Sequence, residues 1–161
     1  SSLHLGMELF LLKTGTKMTH VPYKGSAPMV TDLISGQVDA SMDAATSSWP
    51  HVQTGKLRAL AVSTKERAFF APNLPPIAQV VPGFDVKPWH GVMAPAKTPQ
   101  PVVDKLYREI KVSLDDPAIK AKLLDQGNVA QALPPAEFAK VLDADIQRYR
   151  TVIETAKIQL D

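Results

Sequence analysis

The chain has 161 residues, 45% of them apolar and 21% charged, with a formal net charge of +2. That apolar share suffices for a core, and the length fits one domain or two small lobes. The charge is too small and too dispersed for a nucleic-acid footprint, and the absence of cysteine excludes disulfides, cysteine-ligated zinc and thiol nucleophiles.

Helix signals begin at once. Ser1 or Ser2 is placed to cap a helix over about 3–14, which Gly15 stops. Leu3, Leu5, Met7, Leu9, Phe10, Leu11 and Leu12 make it apolar on most sides, so burial is expected. No run approaches the roughly 20 apolar residues a bilayer requires; the longest, Leu9 to Leu12, ends at Lys13. The opening Ser1-Ser2-Leu3-His4 reads as a helix start, so a processed or truncated polypeptide is expected, with any signal peptide upstream.

A strand over 18–23 comes next, then a Lys24-Gly25-Ser26 turn and a helix over 27–35 with Met29, Val30, Leu33 and Ile34 inward and Gly36 at its end. Ser26 is placed to cap that helix, and Pro28 suits its first turn. A strand over 38–42 leads through Asp43-Ala44-Ala45-Thr46-Ser47-Ser48 to a short helix near 49–54, ended by Gly55. The apolar run 57–63 reads as a strand covered on both faces. Strands alternating with helices across short turns predict an α/β fold with a parallel sheet.

Pro72, Pro75, Pro76 and Pro82 predict an irregular connection over 64–83 with at most a short helix near 77–81. A strand over 84–94 exits through a hinge at Pro95-Ala96-Lys97-Thr98-Pro99. The remainder is helical: about 101–114 with Val103, Leu106, Tyr107, Ile110 and Leu114 on one side, 117–126 ended by Gly127, and 135–157 with a stripe from Phe138 to Ile153. Three one-sided helices need an apolar surface to cover, and the chain offers them no second sheet. A partner segment is therefore expected.

Several motifs occur in order along nearly the whole chain: His20-Val21-Pro22-Tyr23-Lys24-Gly25-Ser26, Gly36-Gln37-Val38-Asp39, Gly55-Lys56-Leu57-Arg58-Ala59-Leu60-Ala61-Val62, Pro82-Gly83-Phe84, Trp89 with Gly91, Ala94 to Pro99, and the ending Lys157 to Asp161. Each is weak alone. Jointly they resemble the substrate-binding proteins of tripartite tricarboxylate transporters, the Bug family. The resemblance implies a type II periplasmic-binding-protein fold, with two α/β lobes around a cleft, of which this chain is the C-terminal portion. On that reading 1–88 is the second lobe without its first strand, 89–99 a hinge strand and crossover, and 100–161 helices that pack on an absent first lobe. It implies a periplasmic location, a small carboxylate ligand, the membrane components of the transporter as partners, and either the missing N-terminal portion or a self-associating copy against the bare helices. No cofactor and no metal are implied.

In open parallel sheets ligands sit beyond the strands' C-terminal ends, which selects the turns that start helices. These hold Ser1, Ser2 and His4, then Tyr23, Lys24, Gly25 and Ser26, then Asp43, Ala44, Ala45 and Thr46. A helix N-terminus favours an anion by about 0.3–1 kcal/mol, more when partly buried. In the resembled family loop N–H groups, hydroxyls and waters grip the carboxylate, a role that suits Ser1, Ser2, Lys24, Gly25 and Ser26; Asp43 matches an acidic position there, followed by Ala44 and Ala45 where many members carry an amide or hydroxyl. Each residue also has a plainer reading: Ser2 and Ser26 as caps, Lys24 as a solvated turn residue, Asp43 as an acceptor for the next turn's N–H groups, and Tyr23 and Trp89 as packing residues.

An enzyme is not expected. There is no Gly-x-Ser-x-Gly elbow around Ser26, no His-Glu-x-x-His, and no i, i+4 pairing among His4, His20, His51 and His90. A LysR-type regulator's ligand-sensing domain shares the implied fold but would carry a DNA-binding segment upstream, and a non-binding fold fragment is the third reading.

Overall fold

The computed structural model describes residues 1–158, so the ending Gln159-Leu160-Asp161, read above as a family signature, lies outside the described residues. Among the described residues six helices form: α1 (Ser2–Thr14), α2 (Ser26–Ser35), α3 (Ala45–Gln53), α4 (Gln100–Asp115), α5 (Pro117–Asp125) and α6 (Pro135–Ala156), with one 3-10 turn at Ile77–Gln79. None of the described helices is long and apolar enough to cross a membrane. The chain divides into two compact units, Ser1–Pro88 with the stretch from Thr151, and Trp89–Arg150.

Local chemistry sets the helix ends. Ser1 caps α1, its Oγ accepting from the His4 N–H at 3.4 Å, and Gly15 closes the helix in the left-handed region. Gly25, at φ 109°, occupies the N-cap of α2, a backbone state that side chains beyond glycine rarely adopt. Asp116 caps α5, accepting from the N–H groups of Ala118 and Ile119 at 2.8 and 3.1 Å, and Pro117 and Pro135 open their helices where no donor is needed.

The first unit is organised on Phe84 and Val86, both fully buried, and on Val81 beside them. Leu9 and Phe10 of α1, Met42 and Ile77 pack on this cluster, with the Phe10 ring edge-on to Phe84 at 6.2 Å. Val30 of α2 and Val152 near the end of α6 are the buried residues of their helices. Gly6 lets α1 come close: a methyl group there would lie 2.8 Å from Met42 Sδ and 3.0 Å from Val86 Cγ1. The proline-rich connection is held by Arg67, whose Nη1 donates to the carbonyls of Pro72 and Leu74 at 2.9 and 3.0 Å.

Two expectations are corrected. Among the described residues no strand forms at 18–23, 38–42, 57–63 or 84–94, so the parallel sheet is not assembled. What exists of a ladder is a single parallel bridge, Val62 to Pro76, with Val62 N–H donating to Pro75, Ile77 N–H to Val62, and Val86 N–H to Ser63. A strand needs consecutive partners on a neighbour, and among the described residues no backbone–backbone bond reaches 18–23 or 38–42. Leu60, in the run expected to be covered on both faces, is 65% exposed. The second correction concerns α1, where Gly6 alone is buried and the apolar side chains are half-buried or, at Leu12, exposed.

The second unit holds α4, α5 and α6 through Arg150. Val103, Tyr107, Ile110 and Leu114 of α4 are half-buried, and Leu106 of the same expected stripe is exposed. Asp115 joins α4 to α5, pairing with Lys111 at 2.5 Å and Lys120 at 2.9 Å; those two ammonium groups hold its carboxyl down at about 2. Trp89 is fixed to α6: its indole N–H donates to Asp145 at 2.7 Å and its ring meets Phe138 edge-on at 5.0 Å.

Candidate functional site

Every residue selected from the sequence as a ligand contact lies in the first unit, at or beside the N-terminus of α1, α2 or α3. Ser2 is exposed in the first turn of α1, one residue after the cap. His4 faces the segment before α2, stacked flat on His20 with ring centres 3.9 Å apart and planes within 5°, while its Nε2 lies 3.4 Å from Glu8. Two residues on, Gly6 rests on Met42, the residue before Asp43. The start of α1 thus touches both connecting segments, the one leading to α2 through His20 and the one leading to α3 through Met42.

The turn before α2 differs from its expected wiring. Ser26 does not cap the helix; its hydroxyl donates to Asp43 Oδ1 at 2.6 Å. The cap position belongs to Gly25, and a short side chain that finds a carboxylate across the turn is drawn to it by charge, since bonds to an ionised acceptor are about twice as strong as neutral ones. Tyr23 turns back to α2 and donates its hydroxyl to Asp32 Oδ2 at 2.7 Å, which raises the phenol's pKa because that bond is lost on ionisation. Lys24 is exposed.

Asp43 is the centre of this region. Besides Ser26 it accepts from Ser48 of α3 at 2.5 Å on its other oxygen. Its carboxylate therefore joins the first turns of two helices that pack on each other, and its negative charge lies by the positive ends of both dipoles. Ala44 is the N-cap of α3 and supplies no side-chain bond; Ala45 and Thr46 follow in the first turn, with Thr46 exposed. The N–H groups of Ser47 and Ser48 reach back to the Ala44 carbonyl, and among the described residues those of Ala45 and Thr46 have no backbone partner.

Sequence reasoning missed two members of this arrangement, Ser48 and His20. Ser48 lies only five residues after a helix-leading aspartate, so the contact is local. The His4–His20 stack is not, because it joins residues sixteen apart through the path of the chain.

A family model described as "Tripartite tricarboxylate transporter family receptor" matches residues 1–158. Protein BugT of Bordetella pertussis is 34% identical over 161 residues, which are 99% of this chain and 49% of that protein. Among solved structures, Rpa4515 of R. palustris with adipate is 37% identical with a TM-score of 0.89, covering 98% of this chain and 53% of that one. A structure of the periplasmic binding protein BugD is 32% identical with a TM-score of 0.85, covering 99% and 54%. The chain thus spans about half the length of each of these three.

Proposed function

The chain belongs to the tripartite tricarboxylate transporter receptor family, and from that premise we propose that it forms part of a periplasmic solute-binding protein that captures a small carboxylate for a membrane transporter. The observation that carries this reading is the likeness to an adipate-bound protein over 98% of the chain. The first turns of α1, α2 and α3 supply what such a ligand needs: N–H donors and positive helix ends, with Ser1, Ser2, Lys24, Gly25 and Thr46 as contacts and Asp43 setting the turns before α2 and α3. No covalent chemistry is required of any of them.

The domain scheme that fits is 1–88 as one lobe, 89–99 as hinge and crossover, and 100–161 as helices covering a further lobe drawn from the half of the related proteins that this chain does not span, or from a second copy. In that assembly the segments 18–23, 38–42 and 57–63 close into a parallel sheet, and lobe closure excludes water around the anion, favouring the closed state by its tighter grip. Isothermal titration of the intact gene product with mono-, di- and tricarboxylates tests the reading, together with mass spectrometry of small molecules that co-purify with it. At least one acid should bind at micromolar concentration or tighter. Ser26→Ala should weaken it several-fold by releasing Asp43 from one of its two hydroxyls, and an unchanged affinity would remove the turn before α2 from the site.

A further inference from the structure

The second unit begins at Trp89 and ends at Arg150, inside α6, and the chain rejoins the first unit at Thr151. Its first residue and its last helix are fastened to each other. Trp89 donates its indole N–H to Asp145 Oδ2 at 2.7 Å, and its ring meets Phe138 edge-on at 5.0 Å. Phe138 and Asp145 are two turns apart on α6 and so share one side of it. The bond goes to a carboxylate, which makes it stronger than a bond between neutral groups, and the other oxygen of that carboxylate lies 3.6 Å from Arg148. Gly91 completes the contact. A methyl group there would stand 2.4 Å from Phe138 Cζ and 2.9 Å from its Cε1, with the Trp89 ring at 3.2 Å. The outgoing segment therefore lies against α6 where no side chain fits between them.

We propose that Trp89 is a clamp that makes the two crossings between the units act as a single hinge. Two independent linkers would each flex on their own. With Trp89 held on Phe138 and Asp145, the start of the crossover and the body of α6 move together. Turning is then confined to Lys87-Pro88 on one side and to α6 beyond Asp145 on the other. This rests on the division of the chain into two units and on the Trp89 contacts, and is independent of what the first unit binds.

The test is hydrogen exchange followed by NMR on the intact gene product, with no ligand added. Trp89→Phe keeps an aromatic ring beside Phe138 and changes no residue of α6, so an effect on α6 reaches it only through the contact. It should speed amide exchange from Tyr149 to Ile153, where α6 leaves the second unit, by about fivefold or more, with the amides of α5 unchanged. In the unsubstituted protein the Trp89 indole proton should exchange about tenfold more slowly than in Asp145→Ala. Gly91→Ala, which lifts the segment off Phe138, should free that proton as well; should Trp89→Phe or Asp145→Ala unfold, Gly91→Ala supplies both readings. Unchanged exchange in α6, or α5 amides accelerated as much as those of α6, overturns the clamp. So does an indole proton that exchanges equally fast with and without Asp145.

Discussion

Between Ser1 and Pro88, Phe84 and Val86 lie wholly out of water with Val81, Leu9, Phe10, Met42 and Ile77 around them; between Trp89 and Arg150, among the described residues, no side chain is buried, and Val112 of α4 is 70% exposed. Yet the second unit is the more regular, with three helices whose ends are set by prolines, an aspartate cap and the Lys111–Asp115–Lys120 pairing. The difference separates two sources of order. Helices can be specified by caps and neighbouring charges within a few residues, whereas a core depends on contacts between distant parts of the chain. One unit has a buried core of the second kind; the other, apart from the Trp89 contacts to Asp145 and Phe138, rests on the first.

Each unit holds one of the chain's two tryptophans: Trp49, edge-on to Phe70 at 5.2 Å, and Trp89 on Phe138. Trp89→Phe and Trp49→Phe backgrounds therefore report the units separately. The comparison is tested hardest by Phe84→Ala, expected to cost about 3–5 kcal/mol as a large-to-small core change, read from Trp49 fluorescence in denaturant. The matching change Leu106→Ala, on an exposed side chain, should cost within about 0.5 kcal/mol by Trp89 fluorescence. A loss at Leu106 equal to that at Phe84 would erase the distinction.

Next in size is Gly6→Ala. At an open helical position this substitution gains up to about 1 kcal/mol, but here the new methyl presses on Met42 and Val86. A net loss of about 1–2 kcal/mol is expected, and any thermal stabilisation would show that α1 is free to move off the core. In the second unit Asp116→Ala should cost about 1 kcal/mol by removing the α5 cap, seen as faster amide exchange at Ala118 and Ile119.

The smallest effect is a pH dependence at the α4–α5 corner. Lys111 and Lys120 lower the Asp115 pKa from 3.8 to about 2, so its contribution is present above the ordinary carboxylate range and fades only as pH falls through about 2. NMR of the carboxyl carbon should place the midpoint near 2, and Lys111→Ala should move it upward. A midpoint near 3.8 in the native chain would show that the pairing does not hold in solution.

The same division decides what could be read from the sequence. The ends of α1, α2, α4, α5 and α6 fall within a residue or two of their expected places, because Gly15, Gly36, Pro117, Gly127 and Pro135 act on their own backbone. The segments 18–23, 38–42 and 57–63 read as strands and none forms among the described residues, because whether a segment becomes a strand depends on a neighbour's backbone, which no local pattern contains. At the site, the turns before the three helices could be located in advance, while the wiring inside them could not. Ser26 fits the cap pattern, yet a carboxylate seventeen residues away holds its proton.

Helix α6 belongs to the second unit as far as Arg150 and to the first from Thr151, where Val152 is buried. The polypeptide therefore passes between the units twice, once beside Lys87 and once through the interior of a continuous helix. A protease site engineered between Pro88 and Trp89 would, once cut, leave the larger N-terminal fragment completed by the tail of the other, so the nicked molecule should elute as a single noncovalent particle. A stop codon ahead of residue 151 would instead remove Val152 from the unit that holds Phe84 and Val86.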